Sequence, residues 1–264
     1  MPVSMDALAD DLAAESAVLR ELLAPLPEEG WRSPTPAAGW SVADQVSHLA
    51  YFDDVAVQSA TDPDGFQATL VQLLATGTVD PDAIAVEFRD LSAAELLRWF
   101  DRSRAALLAA FRPLDPALRV PWFGPAMSAA SSLTARIMET WAHGQDVADT
   151  VGVTREPTDR LRHVAHIGIG ARAYSYVVNG KEVPGTPIRV ELEAPSGAIW
   201  TWGPEDAEDS VTGPALDFCL AVTQRRHLDD VLLVVEGPVA TEWMSFAQAF
   251  AGPAGTGRKP GEFA

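Results

Sequence analysis

Met138-Glu139-Thr140-Trp141-Ala142-His143-Gly144-Gln145-Asp146 and, far upstream, Gly39-Trp40-Ser41-Val42-Ala43-Asp44-Gln45-Val46-Ser47-His48-Leu49 decide how this chain is read. On a helix, residues four apart lie one above the other on the same face. Glu139 and His143 can therefore chelate one ion without backbone strain, and His48 can meet them from a second helix. Two imidazoles and one carboxylate leave a divalent metal room for water or substrate, which marks a catalytic site more than a structural one. Glu and His at this spacing also recur by chance as solvated or capping pairs, and a lone histidine such as His48 is commonly satisfied at the surface or in a core. The apolar surroundings favour the metal. Ile137, Met138 and Trp141 flank the pair, and Val46, Leu49 and Phe52 flank His48. Polar ligands set into apolar helices need partners, and a metal supplies one.

Working outward, the first half reads as helices. Leu8, Leu12, Val18, Leu19, Leu22 and Leu23 follow a helical period over about 4–24. Ser41 is a candidate N-cap with Asp44 at the third helical position, opening a helix that runs to about Ala60. Asp62-Pro63-Asp64-Gly65 breaks it, a shorter helix covers about 65–76, and another starts near Asp80-Pro81. Ser92 caps a strong helix from Ala93 to Phe111. Pro113, Pro116, Pro121 and Pro125 mark an irregular connection, after which Ser128 or Ser131 opens the helix of Glu139 and His143, ending near Gly152. Four principal helices with such loops predict an up-down bundle.

After about Glu156 the pattern changes. Leu161 to Val178 still reads as helical. Ile188 to Ala194 alternates as a strand, Pro195-Ser196-Gly197 is a turn, and Ala198 to Trp202 is a second strand. Pro214 to Arg226 reads as a helix, Val231 to Val235 as a buried strand and Glu242 to Phe250 as a last helix, with a loose tail from Gly252 to Ala264. The expected fold class is α+β, a helical bundle over 1–155 followed by a smaller mixed α/β domain over 156–264.

Composition narrows the function. The chain of 264 residues has a net charge of -18. Such acidity disfavours nucleic acid and anionic membrane, whose phosphates need clustered Lys and Arg. No apolar run of about 20 residues is long enough to cross a bilayer, and the first residues lack the basic start and apolar core of a secretory signal. The single cysteine, Cys219, excludes an internal disulfide and fits a reducing cytoplasm. It lies in the apolar helical run Leu216-Asp217-Phe218-Cys219-Leu220, where a buried, inert thiol is expected.

Gly-Trp-Ser-Val-x-Asp-x-x-x-His-Leu (39–49) and Glu-x-x-x-His-Gly-x-Asp-Val-Ala-Asp (139–149) resemble the mycothiol-dependent maleylpyruvate isomerase family, within the DinB-like metal-binding four-helix bundles. The resemblance continues through Ala215 to Arg226, Leu228-Asp229-Asp230 and Val234-Val235-Glu236-Gly237, similar to the family's C-terminal domain and to sterol-carrier-type domains. It implies His48, Glu139 and His143 as ligands for a divalent metal, zinc above others, and mycothiol as a thiol cosubstrate at the open metal position. A divalent metal lowers the pKa of a bound thiol, and the thiolate can add to a small electrophile. Reversal after bond rotation is isomerisation, and trapping is transfer. The resemblance also implies an arginine holding a substrate carboxylate. Arg225 and Arg226 match that motif, although Gln224 stands where the family often has Gly. A helix C-terminus that attracts cations explains both arginines as well.

Neighbouring residues carry two readings each. Asp44 faces the metal or caps its helix, and Asp146 and Gln145 orient the site or lie on the helix surface. His163, His166 and His227 match no ligand motif and read as structural or surface residues. The tryptophans read as core or cleft walls. Three functions compete: a metal-dependent, mycothiol-using transferase or isomerase; a binding module for an apolar ligand, stapled by metal; and a metal hydrolase with a carboxylate base.

Overall fold

Ser41 ends a loop and opens the helix that carries His48. Its hydroxyl accepts from the Asp44 amide at 3.3 Å, and the Asp44 carboxylate accepts from the Ser41 amide at 2.8 Å. This capping box satisfies two of the orphan donors of the first turn. Ser92 and Glu95 repeat the device, and Ser128 caps the helix of Glu139 and His143 through the Ser131 amide. These caps fix where the long helices begin in the computed structural model, which describes residues 4–76 and 80–263, with the backbone alone for 73–76. The chain divides into two compact units, Met1–Arg155 and Glu156–Ala264.

The first unit contains α1 (Met5–Leu23), α2 (Glu28–Trp31), α3 (Val42–Thr61), α4 (Pro63–Thr76), α5 (Pro81–Glu87), α6 (Ala93–Phe111), the strands β1 (Arg119–Val120) and β2 (Met127–Ser128), and α7 (Ala129–Val151). The four long helices close a ring: α3 packs against α6 and α7, and α1 against α7 and α6. Leu19, Leu23, Val46, Leu49, Leu96, Phe100 and Val147 fill one end of the interior, and Leu8, Leu12, Ala56, Leu107, Phe111, Leu133 and Ile137 the other. Each large apolar side chain among them contributes about 1.5–3 kcal/mol on burial. Pro63 begins α4 instead of ending a loop, because a helix's first position needs no N–H and Asp62 caps the Gly65 amide. Two elements are absent from the sequence pattern. They are α2, which buries Trp31, and the two-residue ribbon of β1 and β2, too short to show alternation.

The second unit contains α8 (Leu161–Gly170), α9 (Arg172–Val178), β3 (Ile188–Glu193), β4 (Ile199–Trp202), β5 (Asp209–Pro214), α10 (Ala215–Val222), β6 (Val234–Glu236) and α11 (Pro238–Met244). The helical pattern over 161–178 is two helices, parted at Ala171. The sheet runs β4-β3-β5-β6, with β3 and β5 parallel and the outer pairs antiparallel. The unanticipated β5 has Gly213 and Pro214 at its end, which blur the strand pattern. The expected buried strand at 231–235 is corrected. β6 is a shorter edge strand, displaced toward Glu236, with Leu232 79% and Val234 56% exposed. The last helix starts four residues earlier than expected, with Pro238 at its first turn, and ends at Met244. The tail is irregular, with hydrogen bonds to its unit. The Tyr174 hydroxyl donates to the Gly252 carbonyl at 2.6 Å, and Asp230 accepts from the Gly261 amide at 2.8 Å. Helix α10 stops at Val222 because Gln224 takes a left-handed conformation, φ 59°, a C-terminal role usually given to glycine. Cys219 is fully buried, and burial pushes its thiol well above the ordinary value. Among the described residues no helix is long and apolar enough to cross a membrane.

Candidate metal centre

Helix α3 brings His48 to the face of α7 that carries Glu139 and His143. His48 Nε2 lies 3.5 Å and His143 Nε2 3.2 Å from Glu139 Oε2. One donor atom from each residue falls within 4.8 Å of the others, a grouping able to hold a metal ion. The side chains are 11%, 20% and 11% exposed, so the donors are walled in yet reachable. The Trp40 ring stacks on His143 at 5.8 Å between centroids, and Phe52 lies 4.7 Å from His48. These rings keep bulk water from two sides of the site.

The electrostatics favour a cation. Burial draws the His48 pKa from 6.5 to about 4, helped by the nearby His143 and opposed by Glu139, so His48 is neutral at pH 7 with one ring lone pair to offer. Burial acts to raise the Glu139 pKa, but the imidazoles of His143 and His48, whenever they carry protons toward it, outweigh burial and hold the carboxyl well below its ordinary value. His48 Nδ1 is buried without a hydrogen-bond partner. A carboxylate facing two imidazole nitrogens, with one ring otherwise unsatisfied, fits the donor set of a divalent metal.

Beneath the donors lies a polar network. Asp53 of α3 accepts from Arg104 Nε of α6 at 2.6 Å and from Arg136 Nε of α7 at 2.9 Å. Arg104 also donates to Ser16 Oγ of α1 at 2.6 Å and to Thr140 Oγ1 of α7 at 3.1 Å. Arg136 donates to the Leu49 carbonyl at 3.0 Å. Asp53 is 0% and both arginines 4% exposed, so one buried carboxylate joins four helices through two guanidiniums. Burial lowers the Arg104 pKa, and Asp53 counters it. The sequence held a signal for this network. Asp53, Arg104 and Arg136 interrupt the apolar stripes of their helices, where a charge must find a partner.

Other candidates fall elsewhere. The Asp44 carboxylate is taken by Ser41 and by Arg89, whose Nε donates to it at 3.0 Å. The residue of that turn which touches the site is Gln45: its amide oxygen closely contacts His143 Nδ1. Gln145 donates to Asp149 at 2.8 Å, and Asp146 is fully buried. Trp141 packs beneath the Arg155 guanidinium. His227 Nδ1 accepts from the Asp229 amide at 3.1 Å, a capping role. In the second unit, Arg225 donates to the Thr223 carbonyl at 2.6 Å, and Arg226 donates to the Arg225 carbonyl at 2.7 Å while lying over the Phe263 ring. Among the described residues, His48, Glu139 and His143 form the one grouping of metal-ligand type; His163 and His166 do not build a second.

The geometry can be set beside known proteins. Residues 12–148 match the family profile for the mycothiol maleylpyruvate isomerase N-terminal domain, and residues 184–236 match one for wyosine base formation. Two uncharacterized proteins of Mycobacterium tuberculosis, from strains CDC 1551 and H37Rv, are each 47% identical over 248 residues, covering 94% of this chain and 96% of theirs. Crystal structures of mycothiol-dependent maleylpyruvate isomerase and of a mutant of it superpose with a TM-score of 0.58, at 18% and 17% identity. The superposition covers 89% of this chain and 97% of theirs, and at that identity it speaks for the fold. With its N-terminal profile spanning the helical unit and a relative at 47% identity across nearly the whole length, the chain belongs to the mycothiol maleylpyruvate isomerase N-terminal domain family.

Proposed function

We propose that this protein is a metal-dependent enzyme that uses a thiol, mycothiol or one like it, as a transferase or isomerase on a small electrophilic substrate. The observation that carries the proposal is the convergence of His48, Glu139 and His143 within 4.8 Å, under partial exposure. A divalent metal held there, zinc as the family resemblance implies, would lower the pKa of a thiol at its remaining position. The protein's part is to hold the donors and shape their surroundings. His48 presents a neutral imidazole, His143 a second ring nitrogen and Glu139 one negative charge. Trp40 and Phe52 wall the approach with apolar rings. Arg225 or Arg226 is proposed to hold a substrate carboxylate. Asp44, bound by Ser41 and Arg89, and Asp146, fully buried, are not placed to serve as the base a hydrolase needs, so thiol chemistry is favoured over hydrolysis.

Metal analysis and calorimetry test this reading. Purified protein should hold about one divalent ion per chain and bind mycothiol only when loaded. His48→Ala should lose both. Protein free of metal that binds none on addition, with His48→Ala behaving as wild type, overturns it.

A further inference from the structure

Gln45 is fully buried on α3, one turn before His48. Its amide belongs to a hydrogen-bond chain whose direction is set at one end. The backbone carbonyl of Trp40 can only accept, and it accepts from the Thr35 hydroxyl at 2.9 Å. That bond uses the hydroxyl's single proton, so toward Gln45 the Thr35 oxygen is an acceptor, taking Gln45 Nε2–H at 2.8 Å. The other end of the amide, Oε1, then faces His143 Nδ1 in close contact and accepts its proton. A flipped amide would set two oxygens against each other at Thr35, with no proton between them.

His143 is thereby left with a lone pair on Nε2, 3.2 Å from Glu139 Oε2. Two acceptors face each other there, and a cation between them turns repulsion into attraction. We propose that Thr35 and Gln45 form a positioning relay that holds His143 as the Nδ1–H tautomer, with its Nε2 lone pair presented to a divalent metal shared with Glu139 and His48. This rests on the metal reading above. Outer partners of metal-bound histidines are often carboxylates, which add charge. A neutral amide fixes the ring and leaves Glu139 as the single negative ligand. A divalent ion there keeps a positive charge to spare, which favours an anion such as a thiolate at the open position.

Two measurements test the relay. In metal-free protein at about pH 8, above the histidine range, long-range nitrogen–proton NMR, assigned with His143→Ala, should report the Nδ1–H tautomer of His143. In Gln45→Leu, similar in size and without the acceptor, it should report a mixture. Zinc affinity, measured by competition with a chromophoric chelator, should fall about 10–100-fold in Gln45→Leu. It should stay within about threefold of wild type in Gln45→Glu, which restores an acceptor. Thr35→Val should fall between, because the amide is then free to flip. Thermal melts identify any variant that fails to fold, and Thr35→Val then carries the affinity test. A wild-type Nε2–H tautomer, or a folded Gln45→Leu that binds zinc within about twofold of wild type, overturns the relay. If wild type binds no metal at all, the proposed function falls, and the tautomer still decides the relay by itself.

Discussion

Replacing Asp53 with Asn should strongly destabilise the helical unit, although it changes one atom. The carboxylate is fully buried and is the anion that Arg104 and Arg136 share, at 2.6 and 2.9 Å. The amide cancels the negative charge and turns one acceptor into a donor aimed at a guanidinium. Arg104 keeps Ser16 and Thr140, and Arg136 keeps the Leu49 carbonyl, so most hydrogen bonds survive while two buried positive charges lose their counterion. Removing one partner of a buried pair costs about 3–5 kcal/mol. Domains are stable by only about 5–15 kcal/mol, so the loss consumes much of the reserve. The melting temperature should fall by about 10 °C, at 2–4 °C per kcal/mol for chains of this size. Urea unfolding followed by circular dichroism, in chelator and at neutral pH, measures the change. A loss below about 1 kcal/mol would refute the argument, since it would lie close to the roughly 0.5 kcal/mol of an ordinary surface change. A control separates charge from packing. Asp53→Leu combined with Arg104→Met and Arg136→Met removes all three charges, and such replacements are neutral or stabilising by about 1–4 kcal/mol.

Acid should weaken the metal-free protein before its carboxylates titrate generally. With the folded pKa of His48 near 4 against an ordinary 6.5, the unfolded chain takes up that proton first as pH falls. Stability is whole above pH 6.5 and declines toward pH 4, by up to about 3 kcal/mol at 1.36 kcal/mol per unit. Glu139, held below its ordinary 4.5, acts in the same direction at lower pH. Urea midpoints between those limits should slope in wild type and flatten in His48→Ala, and equal slopes would contradict the assignment. Chelation should lower the melting temperature, because a ligand at about 100 times its Kd stabilises by about 2.7 kcal/mol. The shift should vanish in His143→Ala, and a shift that persists there would place the ion elsewhere. In the second unit, Gly168→Ala should destabilise by about 1–3 kcal/mol, although alanine is the better helix former by about 1 kcal/mol. Its added carbon would lie 2.6 Å from Val222 Cγ2, and a rise in stability would show that α8 and α10 yield freely.

The helical unit is legible in the sequence because its signals are local. Ser41, Ser92 and Ser128 announce helix starts by side-chain chemistry that needs no tertiary partner. Glu139 and His143 share a face by helix geometry alone, and the structure brings His48 to them. The second unit is less legible because sheets are made by distant pairing. β5 enters between β3 and β6 through a parallel neighbour far back in the chain, Ile188 beside Asp209. The apolar run 231–235 reads as buried, yet it lies at an edge where Leu232 and Val234 meet solvent. Gln45 escapes sequence reasoning for another cause. A glutamine on a helix looks like a solvated residue until the helix opposite is known to place His143 against it.

The pair of helices that carries the donor atoms, α3 and α7, also carries two of the three buried charges, Asp53 and Arg136. Arg136 lies one turn before Thr140 on α7, and Glu139 lies between them. Arg136 also reaches the carbonyl of Leu49, next to His48 on α3. A slip of one residue along α7 would move its donors by about 1.5 Å and turn them by about a quarter of a turn. His48 Nε2 on α3, now 3.5 Å from Glu139 Oε2, could not then share one ion with the α7 pair. Apolar side chains of similar volume exchange at a cost usually below about 1.5 kcal/mol, so an apolar core specifies register less sharply than directional hydrogen bonds do. A guanidinium hydrogen-bonded to a carboxylate and a carbonyl permits a single register. The network is thus expected to set metal geometry more than stability. In the triple variant that combines Asp53→Leu, Arg104→Met and Arg136→Met, melting temperature should hold or rise while zinc affinity falls. Wild-type affinity in that variant would show that the apolar core alone sets the register of α3 on α7.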